Sequence, residues 1–460
     1  MSDAQRRRAG VLCHITSLPG PGPSGTLGAG VVRFLDFIAR SGLSIWQILP
    51  LGPPDEHGSP YHSASLFGLD HALLDPALDL TSAGRLRRYA QQRGAAFERF
   101  VAAQAHWLED FCRFTVLAGR LGTDWSSWPE GLRSRDAAAL ERLDRDQREA
   151  LEIARLYQFA IDDGIAQLRS EAARRGVLLF GDMPLYPAFE SADVWAHQDL
   201  FLLDASQRPR YVAGVPPDYF SATGQLWGNP VYDWARLSAT GFAWWIERFE
   251  AQLRLLDLVR IDHFRGLEAF WAIPAGAERA LAGAWRPAPG RALLRALRER
   301  FGRLPVVAED LGVITPAVDA LRDEFALPGM RVLQFAFSGD PDNPNLPDNY
   351  AANAVAYTGT HDNDTTVGWY RSLDAPTRAS VDALVGTDAE VPWPMIDAVL
   401  RSAAQIAIVP MQDFLGLDSR HRMNTPGRAD GNWRWRLDER ELTAPLAQRI
   451  ASLLRASGRT

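Results

Sequence analysis

Leu256-Asp-Leu-Val-Arg-Ile-Asp262 is the stretch on which the fold turns. It is a short, mostly apolar run that stops at an acidic residue, just before a polar, Gly-containing loop. Two other runs end the same way: Leu304-Pro-Val-Val-Ala-Glu309 and Ala354-Val-Ala-Tyr-Thr-Gly-Thr-His-Asp362. Runs of this length and composition read as strands buried on both faces, the signature of a parallel sheet. In a closed (β/α)8 barrel the C-terminal ends of such strands build the active site. Three carboxylates brought to one barrel mouth repel each other, and one of them usually ends up protonated.

Working outward, eight candidate strands fall at about 11–15, 45–50, 177–183, 256–262, 306–309, 330–335, 355–360 and 406–411. Helical periodicity fills most of the gaps, as at 31–40, 243–255, 290–300 and 316–325. Alternating strands and helices predict a parallel sheet, and eight such units predict closure. The fold class is therefore α/β, a (β/α)8 TIM barrel spanning 1–460 as one catalytic unit. Two insertions interrupt it. Residues 52–176 are rich in Arg, Ala and Leu and read as mainly helical. Residues 184–234 are rich in Pro, Gly, Tyr and Trp, show no clean period, and read as ordered loop; long loops in a compact domain are usually functional. A last helix near 444–456 leaves no room for a C-terminal β-domain.

Composition bounds the function. The chain has 460 residues, 47% hydrophobic and 23% charged, as expected of a soluble enzyme with a large core. A net charge of -7 argues against nucleic acid as a partner. The uncharged stretch 9–32 contains Pro19-Gly-Pro-Gly-Pro23, which excludes a signal or membrane helix there, and no membrane partner is expected. The only cysteines, Cys13 and Cys112, lie far apart, so a reducing, cytoplasmic location is the default. All 49 basic residues are Arg, which excludes a pyridoxal Schiff base and a phosphate-binding P-loop. The histidines show no metal-ligand spacing. Fifteen Trp is a high count. Core packing explains it, but Trp195, Trp227, Trp234, Trp271, Trp369, Trp433 and Trp435 fall in or beside expected loops, where aromatic rings stack on sugars.

Arg260 and Asp262 are two apart on a strand and face the same way. A guanidinium there would hold the carboxylate ionised, as a nucleophile requires, or the two would form a purely structural ion pair. Glu309 ends an apolar strand, where burial raises a carboxyl pKa and suits a general acid. Alternatively Glu309 or Asp310 caps the helix beginning near Thr315, a role that fits Asp310 better. His361-Asp362-Asn363-Asp364 is either a polar grip for sugar hydroxyls or a cation loop, although the Gly and distal Glu of a calcium loop are missing. One acid, one nucleophile and one stabiliser of positive charge are what chemistry at a glycosidic bond needs.

The chain resembles the amylomaltase type of 4-α-glucanotransferase, the disproportionating-enzyme family, along nearly its whole length. The resemblance is carried by nine collinear segments. They are Gly10-Val-Leu-Cys-His-Ile-Thr-Ser-Leu-Pro19, Ser59-Pro-Tyr61, Gly181-Asp-Met-Pro184, Val212-Ala-Gly-Val-Pro-Pro-Asp-Tyr-Phe-Ser221, Thr223-Gly-Gln-Leu-Trp-Gly-Asn-Pro230, Arg260-Ile-Asp-His-Phe-Arg-Gly266, Ala308-Glu-Asp-Leu-Gly312, Gly359-Thr-His-Asp-Asn-Asp-Thr365 and Arg422-Met-Asn-Thr-Pro-Gly427. The resemblance implies Asp262 as nucleophile, Glu309 as general acid/base and Asp362 as transition-state stabiliser. It implies Tyr61, Asp182, Arg260, His361 and Asn424 as substrate-binding, with Tyr219 and Phe220 in a loop over the site. It implies no cofactor and no metal, and as partners maltooligosaccharides, α-1,4-glucans from starch or glycogen, and glucose as acceptor. An α-glucan hydrolase using the same residues is the alternative. The sequence departs from the family at His62 (usually Gln), at Leu66-Phe-Gly-Leu-Asp70 (usually with Ala-Gly-Asn) and at Glu190-Ser191 (usually Asp-Ser). These changes bear on chain-length preference and the donor pocket, leaving the reaction class alone.

Overall fold

The computed structural model describes residues 6–217, 223–386 and 390–459. The described residues contain twelve strands. In chain order they are β1 (Arg8–Leu12), β2 (Ile45–Gln47), β3 (Leu178–Met183), β4 (Tyr211–Val215), β5 (Gln225–Pro230), β6 (Leu258–Ile261), β7 (Ala269–Pro274), β8 (Ala284–Pro287), β9 (Val306–Ala308), β10 (Gly329–Val332), β11 (Ala354–Tyr357) and β12 (Ile406–Pro410). Eight of these close into a barrel in the order β1-β12-β11-β10-β9-β6-β3-β2. Every pair in it is parallel, including the closing pair β1–β12. Helices wrap the outside, among them Ala29–Arg40, Ala243–Leu255, Gly290–Phe301, Pro316–Glu324 and Ala444–Ser457. The chain is thus a (β/α)8 barrel.

Each of the eight expected strands is present, within a few residues. The first runs Arg8–Leu12 and gives way to a 3-10 turn at Ile15–Ser17, earlier than the sequence pattern suggests. The period of two divides the core into two compartments. Phe180, Val307, Met330, Val332, Val355, Tyr357 and Ile408 fill the barrel interior. Leu179, Val259, Ile261, Ala308 and Val409 face the helices instead. Above the apolar interior layer the inward positions turn polar: Gln47, Asp182 and Arg260 are all buried. Tyr357 donates its hydroxyl to Gln47 Oε1 at 3.1 Å across this layer. That polar layer is the floor of the cleft described below.

Between β2 and β3 the chain runs through several helices, ending in the 27-residue helix Arg148–Arg174. They pack around Trp107, Phe111, Trp125 and Phe159, all buried. Between β3 and β9 lies an element that the sequence pattern does not reveal. β4 and β5 fall inside the segment expected to be loop, and with β7 and β8 they form an antiparallel sheet ordered β5-β4-β7-β8. Its pairing joins distant residues, as in Ala213 with Ala272, and a register shift interrupts β4–β5 between Val212 and Gly214. Among the described residues no helix is long and apolar enough to cross a membrane. Both cysteines are buried and free.

Candidate active site

The C-terminal ends of the barrel strands open into a cleft of about 750 Å³. Arg260, Asp262, Glu309, His361, Asp362 and Asn424 all line it, as does Tyr61. The buried Arg260 side chain forks between two carboxylates. Nη1 reaches Asp182 Oδ2 at 2.5 Å and Nη2 reaches Asp262 Oδ1 at 2.7 Å. Asp182 sits beside Arg260 across the β3–β6 pairing, so neighbouring strands bring these two together. Burial works against the Arg260 cation, but Asp182 and Asp262 outweigh it and raise its pKa well above the ordinary value. Burial pushes Asp182 upward, and Arg260 pulls it back. Tyr61, from the segment after β2, donates its hydroxyl to Asp182 Oδ2 at 2.7 Å.

Glu309 follows β9 directly and is 9% exposed. Its Oε2 accepts the backbone N–H of His263 at 2.7 Å and its Oε1 that of Leu311 at 2.9 Å. His263 has φ of 50°, a left-handed conformation uncommon for a side-chain-bearing residue. The turn there aims its N–H at Glu309, and its ring packs edge-on against Trp227 at 4.8 Å. Burial raises the Glu309 carboxyl; Arg260 opposes, the Asp262 charge adds, and the result is a pKa pushed up to about 7. The helix-cap role considered for Asp310 is not seen. Thr315 caps Pro316–Glu324 without a side-chain bond. Asp310 accepts instead from the Met330 N–H at 2.6 Å and from Arg322 at 2.5 Å, tying the Glu309 loop to β10.

Asp362 has the opposite tendency. Burial would raise its pKa, but His361, the Asn424 amide and Arg260 outweigh burial and hold it well below the usual carboxylate range. Asn424 Nδ2 donates to Oδ1 at 2.6 Å, and His361 Nε2 lies 3.3 Å from Oδ2. Burial lowers the His361 pKa, but Asp362 more than restores it, so the imidazole gains a proton more readily than usual. The His361 ring stacks on Tyr61 at 5.1 Å and 15°, with Trp433 against both. Three anchors hold the Asp362 loop. Arg422 donates to the Asp362 carbonyl and the Asn424 carbonyl, each at 2.6 Å. Gln334 donates to the Asp364 carbonyl at 2.9 Å. Asp413, buried just beyond β12, accepts from the Thr358 hydroxyl and from the Thr366 N–H and hydroxyl at 2.6–2.7 Å.

The site residues named from the sequence line this cleft, except that Asp182, its side chain fully buried, lies beneath it and reaches it only through Arg260 and Tyr61, and that Tyr219 and Phe220 lie outside the described residues. Arg265 and Trp285 also line the cleft, and sequence reasoning gave neither of them a role. Arg265 and Arg422 stood in segments already quoted, and that membership was the available signal. Of the loop tryptophans, Trp227, Trp369 and Trp433 line the cleft, whereas Trp195 and Trp234 are core residues. His62 lines the cleft with its Nδ1 3.7 Å from Asp55. Among the described residues no group of three or more His, Cys, Asp or Glu is placed to hold a metal ion.

A family model described as 4-alpha-glucanotransferase matches residues 13–92 and 78–443. The chain belongs to this family. It is 43% identical to a 4-alpha-glucanotransferase of Thermus thermophilus over 98% of its own length and 99% of the relative's. A Synechocystis 4-alpha-glucanotransferase is also 43% identical, over 99% of this chain and 98% of that one. The solved structure of amylomaltase from Streptococcus agalactiae in complex with acarbose superimposes with a TM-score of 0.94 at 30% identity, covering 99% of this chain and 100% of that one.

Proposed function

We propose that this member of the family transfers α-1,4-glucan segments from a donor maltooligosaccharide to the 4-hydroxyl of an acceptor glucan or glucose, with retention of configuration. The observation that carries the reading is the divergence of the three carboxyl groups within one cleft. Asp262 is held in a guanidinium fork, Glu309 is pushed up to about 7, and Asp362 is held well below the carboxylate range. Environments that push pKa values apart assign acid and base roles.

In the first displacement an Asp262 oxygen attacks the anomeric carbon while Glu309 gives its proton to the leaving glycosidic oxygen. Asp262 then carries the glycosyl group as an ester. Asp362, ionised and fixed by Asn424 and His361, stabilises the positive charge that builds on the sugar ring and accepts from its hydroxyls. In the second displacement Glu309 takes the proton of the acceptor 4-hydroxyl, which attacks the same carbon from the other side. Two inversions return the α-configuration. No cofactor enters either step. Tyr61 and His361 shape the donor pocket, Asp182 holds Tyr61 and Arg260 from beneath, and α-1,4-glucans derived from starch or glycogen are the expected donors.

Incubation with maltotriose tests the reading. Glucose should appear together with maltopentaose and longer chains, with every new linkage α by proton NMR. Glucose and maltose without longer products would identify a hydrolase. No turnover at all would mean that the barrel has lost its chemistry.

A further inference from the structure

Contacts around the cleft run in two directions from the reacting centre. On one side Asp362 leads through His361 and Tyr61 to Trp433. On the other side Glu309 bonds the backbone of Leu311, two residues before Val313. Arg265 donates to the Val313 carbonyl, and its guanidinium carbon stands 3.6 Å from the centre of the Trp285 ring system. A general acid must face the glycosidic oxygen, so the sugars on the Glu309 side are those that leave in the first step and enter in the second. Trp285 therefore stands on the acceptor side.

Its setting is that of a held platform. Trp285 is on β8, directly opposite Trp271 on β7, and the two rings meet at 5.1 Å and 64°. Trp271 is fixed by a 2.8 Å hydrogen bond from its Nε1 to the Ala280 carbonyl. Arg265, only 7% exposed, packs on Trp285 in cation–π geometry. Yet Trp285 is 36% exposed and opens on the cleft, next to Val313 at 51%. Large aromatics at an exposed cleft wall, anchored from behind, provide apolar area with little rotamer freedom left to lose.

We propose that Trp285 is the stacking platform for a glucosyl unit of the acceptor beyond the first, and that it sets the preference for oligosaccharide acceptors over glucose. The inference rests on the transferase reading above. On this proposal a single glucose fills the position beside Glu309, and a longer acceptor is needed to meet the tryptophan. Arg265 acts through Trp285 as a positioning residue.

The test uses α-maltosyl fluoride as donor and compares glucose with maltotriose as acceptor, reading acceptor kcat/KM for wild type, Trp285→Ala and Trp285→Phe. The maltotriose-to-glucose ratio should fall by about fivefold or more in Trp285→Ala, the scale of losing an interfacial aromatic anchor. Trp285→Phe should recover part of that ratio. A ratio within about twofold of wild type in both variants, or a parallel loss with both acceptors, would show that Trp285 only packs the β7–β8 hairpin, and overturns the inference. Should Trp285→Ala melt below assay temperature, the Phe variant carries the comparison. If the wild-type enzyme transfers to neither acceptor, the transferase reading fails first and this inference falls with it.

Discussion

Glu309 gives the sharpest residue-scale prediction. Glu309→Gln keeps the shape but can neither donate nor accept the transferred proton. General acid–base catalysis is typically worth ~10²–10⁴-fold, so kcat on maltotriose should fall by that amount. A variant retaining more than about a tenth of wild-type kcat would remove Glu309 from the acid/base role. The pH dependence follows from the same group. Glu309 must be protonated to act as acid, and its pKa is pushed up to about 7 by burial. The acidic form therefore predominates below that value, and kcat/KM should decline as pH rises through about 7. This limb should be missing in Glu309→Gln. A wild-type profile flat from about pH 5 to about pH 9, roughly two units to either side, would contradict the assignment. The placement of the three carboxylates at one cleft was legible because each follows a barrel strand whose apolar pattern is local, Asp262 and Glu309 directly and Asp362 after a short loop. The bond from Tyr61 to Asp182 was not, since it joins residues 121 apart and no local pattern records it. Asp310 misled because a carboxylate near a helix start looks like a cap, while its true partners, Met330 and Arg322, are supplied by the next strand and helix.

At the scale of elements, Asp413 links β12 to the loop that carries Asp362. It is 1% exposed and accepts three hydrogen bonds. Asp413→Ala leaves a buried N–H and two hydroxyls without their acceptor, at about 1–3 kcal/mol for each group that stays unsatisfied. We expect a loss of about 2–4 kcal/mol in urea unfolding, with kcat reduced because Asp362 is no longer held in place. Full activity in a variant destabilised to that extent would mean that Arg422 and Gln334 suffice to hold the loop. The eight barrel strands were readable because each is buried on both faces and so nearly uniformly apolar. The β5-β4-β7-β8 sheet was not. It pairs segments far apart in the chain, bends at a register shift, and is interrupted by Gly and Pro, so neither period nor composition marked it.

The molecule as a whole separates stability from chemistry along the barrel axis. Arg459 is fully buried at the end where β1 and β12 begin. It donates to the carbonyls of Arg8, Leu400, Ser402, Ala404 and Gln405 at 2.5–3.2 Å. Arg7 adds a second guanidinium on the Leu400, Ser402 and Ser457 carbonyls. The N-terminal face of such a barrel serves stability, the opposite face catalysis. Arg459→Ala should therefore lower the unfolding free energy by about 2–4 kcal/mol and leave kcat/KM unchanged well below the melting point. A comparable fall in kcat/KM would show that the two ends of the barrel are mechanically linked.

The charge of Asp262 acting on Glu309 has a consequence for timing. In the proposed cycle, esterification discharges Asp262 at the moment Glu309 gives up its proton, so one unit of negative charge hops between two side chains and the cleft as a whole never changes its charge. Arg260 is the fixed countercharge for both stations. The repulsion that helped hold a proton on Glu309 disappears once Asp262 is an ester. The same side chain becomes a stronger acid just when it has to remain deprotonated to receive the acceptor. In that proposed cycle a single carboxyl alternates between two affinities for the proton, and its covalent neighbour sets the clock.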